Sequence, residues 1–260
     1  MSAAQPEVWR PTAEQIDAAN VTRLMRAHDI ERFEDLVTRS IVDPAWFWDA
    51  VVRDLDLEFS TPYDRVVDLS RGPAWATWFI GGRTNVARQC VDRWADRTPT
   101  VPAVVWEGED GEVRSVTYEG LRQRTDAVAQ ALLSLGVASG DRVAIFLPMA
   151  IETVAAVMAC AKVGAVFVPI FSGFGADALA ARLADAACRI LITANGSLRK
   201  GAPVPMKSIA DRAIEMAPVV EHVLVWERLP GFGELTPGRD HPWSEIVDLD
   251  GPPLDPTPLD

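Results

Sequence analysis

From Thr117 onward the chain alternates between two hydrophobic periods. Leu121, Val128, Leu132 and Leu135 fall on one helical face behind Thr117, a good capping residue, and Gly136 suits the left-handed position that closes a helix. A continuous apolar run follows, Arg142 to Leu147, and reads as a strand. Ile151, Val154, Ala155, Met158 and Ala161 then line one side of a second helix that ends at Gly164. The pattern repeats: a strand over Ala165 to Ile170, a helix from Ala176 to Ala187 through Leu179 and Leu183, and a strand over Arg189 to Thr193. Ser208-Ile209-Ala210-Asp211 has the form of a capping box and predicts a helix ending at Pro218, before a last strand, His222 to Trp226. These runs are too continuous for a sheet with one wet face. Strands buried on both faces and separated by helices predict an α/β fold with a mainly parallel sheet, and right-handed crossovers place helices on both of its faces.

Upstream the pattern changes. Ala103 to Glu107 and Val113 to Thr117 flank Gly108-Glu109-Asp110-Gly111, which predicts a β-hairpin with a short acidic loop. Before it lies a tryptophan-rich stretch with Trp9, Trp46, Trp48, Trp75 and Trp78. Helices are expected there over Val21 to Ala27, over Arg32 to Ser40, and from Asp43-Pro44 to about Leu55, where an aspartate cap precedes a first-turn proline. The tryptophans read as packing anchors. The stretch from Leu229 to Asp260 ends GPPLDPTPLD and reads as a loop or linker leading to an ATP-binding part beyond it. The expected organisation is a helical and irregular segment over 1–82, an α/β subdomain over 83–228, and a linker over 229–260.

Composition narrows the function. A formal net charge of -12 argues against general nucleic-acid binding, which needs a clustered basic surface. It still allows one or two local arginines to hold a small anion. Only three of the 25 basic residues are lysines: Lys162, Lys200 and Lys207. Cys90, Cys160 and Cys188 are odd in number and lack paired spacing, so no disulfide framework or zinc site follows, and a reducing cytoplasmic setting is expected. His28, His222 and His241 are scattered and suggest no metal site. The first fifteen residues are polar and carry no secretory core. The apolar stretch Ala150 to Phe171 has the length of a membrane span, but Glu152, Lys162, Gly164 and Pro169 interrupt it, so a buried helix and strand are the better reading.

An ordered set of short motifs then carries a resemblance. It starts with Trp78-Phe79-Ile80-Gly81-Gly82-Arg83-Thr84-Asn85, then Cys90-Val91-Asp92-Arg93 and Trp106-Glu107-Gly108. Val116-Thr117-Tyr118, Gly140-Asp141-Arg142-Val143 and Leu147-Pro148-Met149 follow. Ala159 to Ala165, Phe171-Ser172-Gly173-Phe174, Ile192-Thr193-Ala194 and Val204-Pro205-Met206-Lys207 complete it. In this order and spacing, from about Ser40 to Trp226, the chain resembles the amino-terminal portion of AMP-forming acyl-CoA synthetases, in the acetyl-CoA synthetase-like branch of the adenylate-forming superfamily. The resemblance implies a ligase. It converts a short-chain carboxylate and ATP to an acyl-adenylate and pyrophosphate, and the CoA thiol then attacks the adenylate. Mg²⁺ and phosphate-binding groups offset the charge that develops on the phosphates.

The family's Ser/Thr/Gly-rich phosphate loop ending Pro-Lys-Gly does not occur among the 260 residues. ATP, Mg²⁺ and the catalytic step are therefore expected mainly outside this chain, no catalytic or metal-binding residue is assigned, and the chain by itself is expected to be inactive. What the resemblance does place here is part of a CoA site. It includes Phe171 and Gly173 at a strand-end turn, and Arg199, Lys200, Gly201 and Ala202 in a loop. Arg199 offers several donors for the CoA 3′-phosphate and a plane for stacking on adenine. Small residues at Gly173 and Gly175 let backbone approach a ligand. The family loop usually carries a second arginine, and this chain has Ala202 instead, with Lys200 as a point charge nearby. Blander readings stand beside these. Arg199 and Lys200 also fit a solvated surface pair, the Phe171 to Gly175 run a tight strand-to-helix turn, and Gly81-Gly82-Arg83 a plain turn. The acidic hairpin residues Glu107, Glu109, Asp110 and Glu112 read as solvated. No nucleic-acid or membrane partner is expected. The alternative is a non-catalytic module that pairs with a separate adenylating chain or dimerises through its tryptophan-rich start; under the first reading, exposed apolar surface and sheet edges also allow copies of the chain to pair.

Overall fold

The computed structural model describes residues 9–260, so the first eight residues of the polar amino-terminal reading lie outside the described residues. The chain divides into two compact units, 1–83 with Asp260, and Thr84–Leu259.

In the first unit four helices, α1 (Ala13–Asp17), α2 (Asn20–Ala27), α3 (Phe33–Val42) and α4 (Pro44–Asp54), precede an antiparallel pair, β1 (Arg65–Asp68) and β2 (Thr77–Ile80). The Asp43 carboxylate caps α4 by accepting from the Trp46 backbone N–H at 2.9 Å. Leu24, Leu36 and Ala50 form a small core with Trp46 packed against it. The expectation of tryptophan anchors holds for Trp46 only. Trp9 and Trp75 stand 70% and 68% exposed, and Trp48 and Trp78 make an edge-to-face pair at 6.0 Å that keeps one side in water. A unit this small has too much surface for its volume to bury them all.

The second unit opens with a π-helical turn, Arg88–Asp92, running into α5 (Arg93–Arg97), then the hairpin β3 (Pro102–Glu107) and β4 (Val113–Thr117). Next come α6 (Tyr118–Ser134), β5 (Arg142–Phe146), α7 (Ile151–Val163), β6 (Val166–Pro169), α8 (Ala176–Asp185) and β7 (Ile190–Ala194). A short hairpin β8 (Ser197–Arg199) and β9 (Ala202–Val204), then α9 (Met206–Met216), β10 (His222–Trp226), β11 (Asp240–Pro242) and α10 (Trp243–Ile246) complete it. The five parallel strands lie in the order β11-β10-β7-β5-β6. Chain direction reverses after β6, so right-handed crossovers put α7 on one face and α8 and α9 on the other. Helix α6 packs on α7, and α8 packs on α9. The central strands are sealed on both sides, with Val143, Ala144, Phe146, Leu191, Ile192 and Leu224 buried in one core. Each large side chain buried there contributes roughly 1.5–3 kcal/mol. This is the predicted α/β fold. Among the described residues no helix is long and apolar enough to cross a membrane.

Four expectations are corrected. Helix α9 starts at Met206 behind Pro205, so Ser208 is no cap, and the Asp211 carboxylate takes Lys207 Nζ at 2.6 Å instead. The last parallel strand before the reversal, β6, is largely exposed because it forms the sheet edge, where Pro169 is tolerated. The stretch 229–260 is not a bare linker. It supplies β11 and α10, and its tail docks through Thr257 N–H to Lys162 O at 2.8 Å and Leu259 N–H to Thr84 O at 2.9 Å. Finally, Arg199 to Ala202 is a hairpin turn rather than a loop, with Lys200 and Gly201 at φ of 51° and 73°. Two successive positive φ values are what a tight hairpin with the native strand twist requires.

Candidate functional site

The reversal of strand order falls between β5 and β7. In parallel sheets the crevice at the carboxyl ends of such strands collects ligands, because the two flanking connections leave on opposite faces. Here that edge holds a cleft of about 350 Å³. Pro148 and Met149 reach it from β5, Phe171 and Ser172 from β6, Ser197 to Arg199 from β7 and β8, and Arg228 from β10. The hairpin of β3 and β4 closes one side with Trp106 and Glu107 to Glu109. Its position is fixed by two hydrogen bonds. Trp106 Nε1 donates to Met149 O at 2.8 Å, and the Gly201 N–H donates to Glu109 Oε2 at 3.2 Å. Glu109 is thus not merely solvated, since it ties the acidic turn to the β8–β9 turn.

Of the six residues the sequence singled out, Phe171 and Arg199 line the cleft. The Arg199 guanidinium carbon lies 5.7 Å from the Phe171 ring centroid. Gly173 acts by lacking a side chain: a Cβ there would sit 2.5 Å from Arg199 Nη1 and from the Phe171 ring. Lys200 and Gly201 form the exposed hairpin turn and Ala202 starts β9, and none of the three lines the cleft. At Gly175 a Cβ would meet nothing within 4 Å, so close approach gives no reason for glycine there.

Sequence reasoning missed two wall residues. Trp106 was noted only as part of a motif, yet its ring faces the guanidinium carbons of Arg114 at 4.5 Å and Arg228 at 5.5 Å. Arg228 also lies 5.4 Å from the Trp226 ring. Its place just past the end of a parallel strand was the available signal. Burial, and then the like charge of Arg114, pull the Arg228 guanidinium below the usual arginine range, with Glu152, Asp110 and Glu112 opposing. Arg114 itself is paired with Glu152 at 3.4 Å. Among the described residues neither Arg199 nor Arg228 makes a direct ion pair, so the cleft presents two guanidinium groups beside two aromatic rings, with Glu107 and Glu109 in the same lining. Such a lining suits a phosphorylated ligand with a flat base. Among the described residues no group of three His, Cys, Asp or Glu side chains is placed to hold a metal ion.

Comparison with known proteins agrees with this architecture. The profile described as "AMP-binding enzyme" matches residues 91–255, and the one described as "Acetyl-coenzyme A synthetase N-terminus" matches residues 33–90. The acetyl-coenzyme A synthetase of Deinococcus radiodurans is 40% identical over 242 residues, which is 92% of this chain and 36% of that protein. That of Mycobacterium bovis is 43% identical over 212 residues, 78% of this chain and 32% of that protein. The acetoacetyl-CoA synthetase from Streptomyces lividans superposes with a TM-score of 0.88 at 28% identity, covering 96% of this chain and 39% of that one. The chain thus spans about a third of the length of these relatives. It belongs to the AMP-binding enzyme family, in its acetyl-coenzyme A synthetase-like branch of acyl-CoA ligases.

Proposed function

We propose that these 260 residues carry part of the CoA site of an ATP-dependent, AMP-forming acid–thiol ligase for short-chain carboxylates, and that alone they do not turn over. In the reaction a carboxylate oxygen attacks the α-phosphorus of ATP and pyrophosphate leaves. The CoA sulfur then attacks the acyl carbon, the bond to the AMP oxygen breaks with its electron pair on AMP, and the thiol proton goes to solvent. The part assigned to this chain is binding. Arg199 holds the 3′-phosphate of CoA while Phe171 and the Arg199 plane face its adenine. Binding energy at that remote end positions the thiol, which lowers the barrier without touching the reacting atoms. ATP and Mg²⁺ are assigned to parts of the relatives beyond the matched third. The same reading puts the chain in the cytoplasm, in keeping with its three free thiols.

One observation supports this most: Phe171 and Arg199, named separately from sequence, meet in one cleft at the carboxyl edge of a parallel sheet. The test is titration of the chain with CoA, 3′-dephospho-CoA and ATP, followed by phosphorus NMR into the millimolar range. CoA is expected to bind better than its 3′-dephospho form, and Arg199→Ala is expected to erase that preference. Binding of ATP more tightly than CoA, or an unchanged preference in Arg199→Ala, overturns the reading. Acyl-CoA formation from acetate, ATP, Mg²⁺ and CoA above a protein-free blank overturns the statement that the chain does not turn over alone.

A further inference from the structure

The connection between β10 and β11, residues 227–239, contains no helix or strand, yet its start forms one wall of the cleft through Arg228. An irregular segment packed on a sheet edge needs partners for its backbone groups from elsewhere. Four of those groups end on a single side chain. Asn195 follows β7 and is 6% exposed. Its Oδ1 accepts from the N–H of Arg228 at 2.9 Å and of Leu229 at 3.0 Å. Its Nδ2 donates to Leu229 O at 2.7 Å and to Phe232 O at 3.1 Å. The flipped amide would set Nδ2 against two N–H donors and Oδ1 against two carbonyls, so the network admits one orientation. Two donors and two acceptor sites on so short a stem are what asparagine combines. The main chain of the same residue extends the network. Asn195 N–H donates to Trp226 O at 2.9 Å, and Asn195 O accepts from the Lys207 N–H at 3.2 Å, at the start of α9. Between Asn195 and Lys207 runs the β8–β9 hairpin, whose Ser197, Leu198 and Arg199 also line the cleft. Packing leaves the connection little room to slide. A Cβ at Gly196 would stand 3.0 Å from Leu229 Cδ1, and one at Gly233 would stand 3.0 Å from the Lys207 Cβ and 3.6 Å from the Asn195 Cβ.

We infer that Asn195 is a positioning residue of the cleft: its amide clamps residues 228–232, and so sets where the wall after β10 stands against the wall formed by β8. It touches no ligand. It acts through the backbone of Arg228, Leu229 and Phe232, and it fixes the width of the cleft before anything binds. Pre-set walls spare a ligand the cost of ordering them, so loosening the clamp weakens binding without removing a contact. The choice of CoA as the ligand rests on the reading given above; the clamp itself does not.

The test pairs residue-resolved amide hydrogen exchange with calorimetric titration of CoA, on the whole chain, in wild type, Asn195→Ala and Val128→Ala. Val128 is buried in α6 and does not line the cleft, so its variant controls for a general loss of stability. Asn195→Ala is expected to speed exchange at the Arg228 and Leu229 amides about tenfold, the scale of a lost buried hydrogen bond, while the Leu191 and Leu224 amides in the sheet change much less. CoA affinity is expected to fall severalfold in Asn195→Ala and to stay unchanged in Val128→Ala. Should Asn195→Ala not fold, Asn195→Ser, whose hydroxyl is too short to span both Leu229 and Phe232, carries the same comparison. Faster exchange spread evenly over all four amides, or CoA affinity unchanged once the Arg228 and Leu229 amides are freed, overturns the inference. Failure of the CoA reading shows separately: wild type then binds CoA no better than 3′-dephospho-CoA, while the exchange pattern still supports or refutes the clamp.

Discussion

Lys162 Nζ lies 2.8 Å from Asp92 Oδ1, and the two side chains are only 1% and 6% exposed. The same ammonium is paired with Asp126, so two buried carboxylates share one cation between the π-helical turn, α6 and α7. Burial pushes the Asp92 carboxyl above the usual range, with Lys162 pulling the other way and Asp126 adding to the rise. Asp92 Oδ2 has no hydrogen-bond partner among the described residues.

Lys162→Met should therefore cost about 3–5 kcal/mol at neutral pH, because it strands two buried carboxylates. A carboxyl with a raised folded pKa binds protons more tightly in the native state than in the unfolded chain. Its contribution is complete below the unfolded value, near 4, and is lost as pH rises through the folded one. The penalty of Lys162→Met should thus shrink between pH 7 and pH 5. Urea midpoints at the two pH values check this, and an equal penalty at both would refute it.

His222 Nδ1 and His241 Nε2 approach to 3.0 Å, on the adjacent parallel strands β10 and β11. One nitrogen must stay unprotonated to accept. Burial, and then the charge of His222, hold His241 below the usual imidazole range against the opposing pull of Asp240. A depressed pKa contributes stability that is complete above about 6.5 and falls as pH drops below that value. The wild-type chain should lose urea resistance from pH 7.5 to pH 5.5, and His241→Asn should lose less. A steeper loss in the variant would contradict the account.

Gly173→Ala separates stability from binding. The added Cβ would press on the tip of Arg199 and the edge of the Phe171 ring, both of which can swing away into solvent. Folding stability should change by no more than about 1 kcal/mol. CoA affinity should fall severalfold, because both cleft side chains are displaced. Thermal melting paired with CoA titration reads the two effects. A large drop in melting temperature with unchanged CoA affinity would reverse the assignment.

Much of the α/β half is legible in the sequence. Thr117 caps α6 by accepting from the Gly120 N–H at 3.2 Å, and Gly136 and Gly164 take the left-handed conformation that ends α6 and α7, with φ of 82° and 76°. Those signals are local, so they survive the loss of all tertiary context. The three-residue strand β11 was not legible, since Asp240-His241-Pro242 has no apolar run. What makes it a strand is the free edge of β10 and the grip of Lys207 on Asp240 at 2.7 Å. Lys162 misled in the other direction: it read as an interruption of an apolar stretch, and it is buried because Asp92 and Asp126 wait for it from other elements.

By itself, then, the sequence determined the main helices and strands from β3 to β10, the caps at Thr117, Gly136 and Gly164, and through its ordered motifs the two cleft residues Phe171 and Arg199. Each of those depends on neighbours a few positions away or on a recognisable local run. Tertiary structure alone decided that Arg228 and Trp106 share that cleft, that His222 meets His241, and that Lys162 is neutralised. Those pairings join residues 19 or more positions apart, and only the lateral order of the parallel strands and the packing of α6 on α7 bring them within reach.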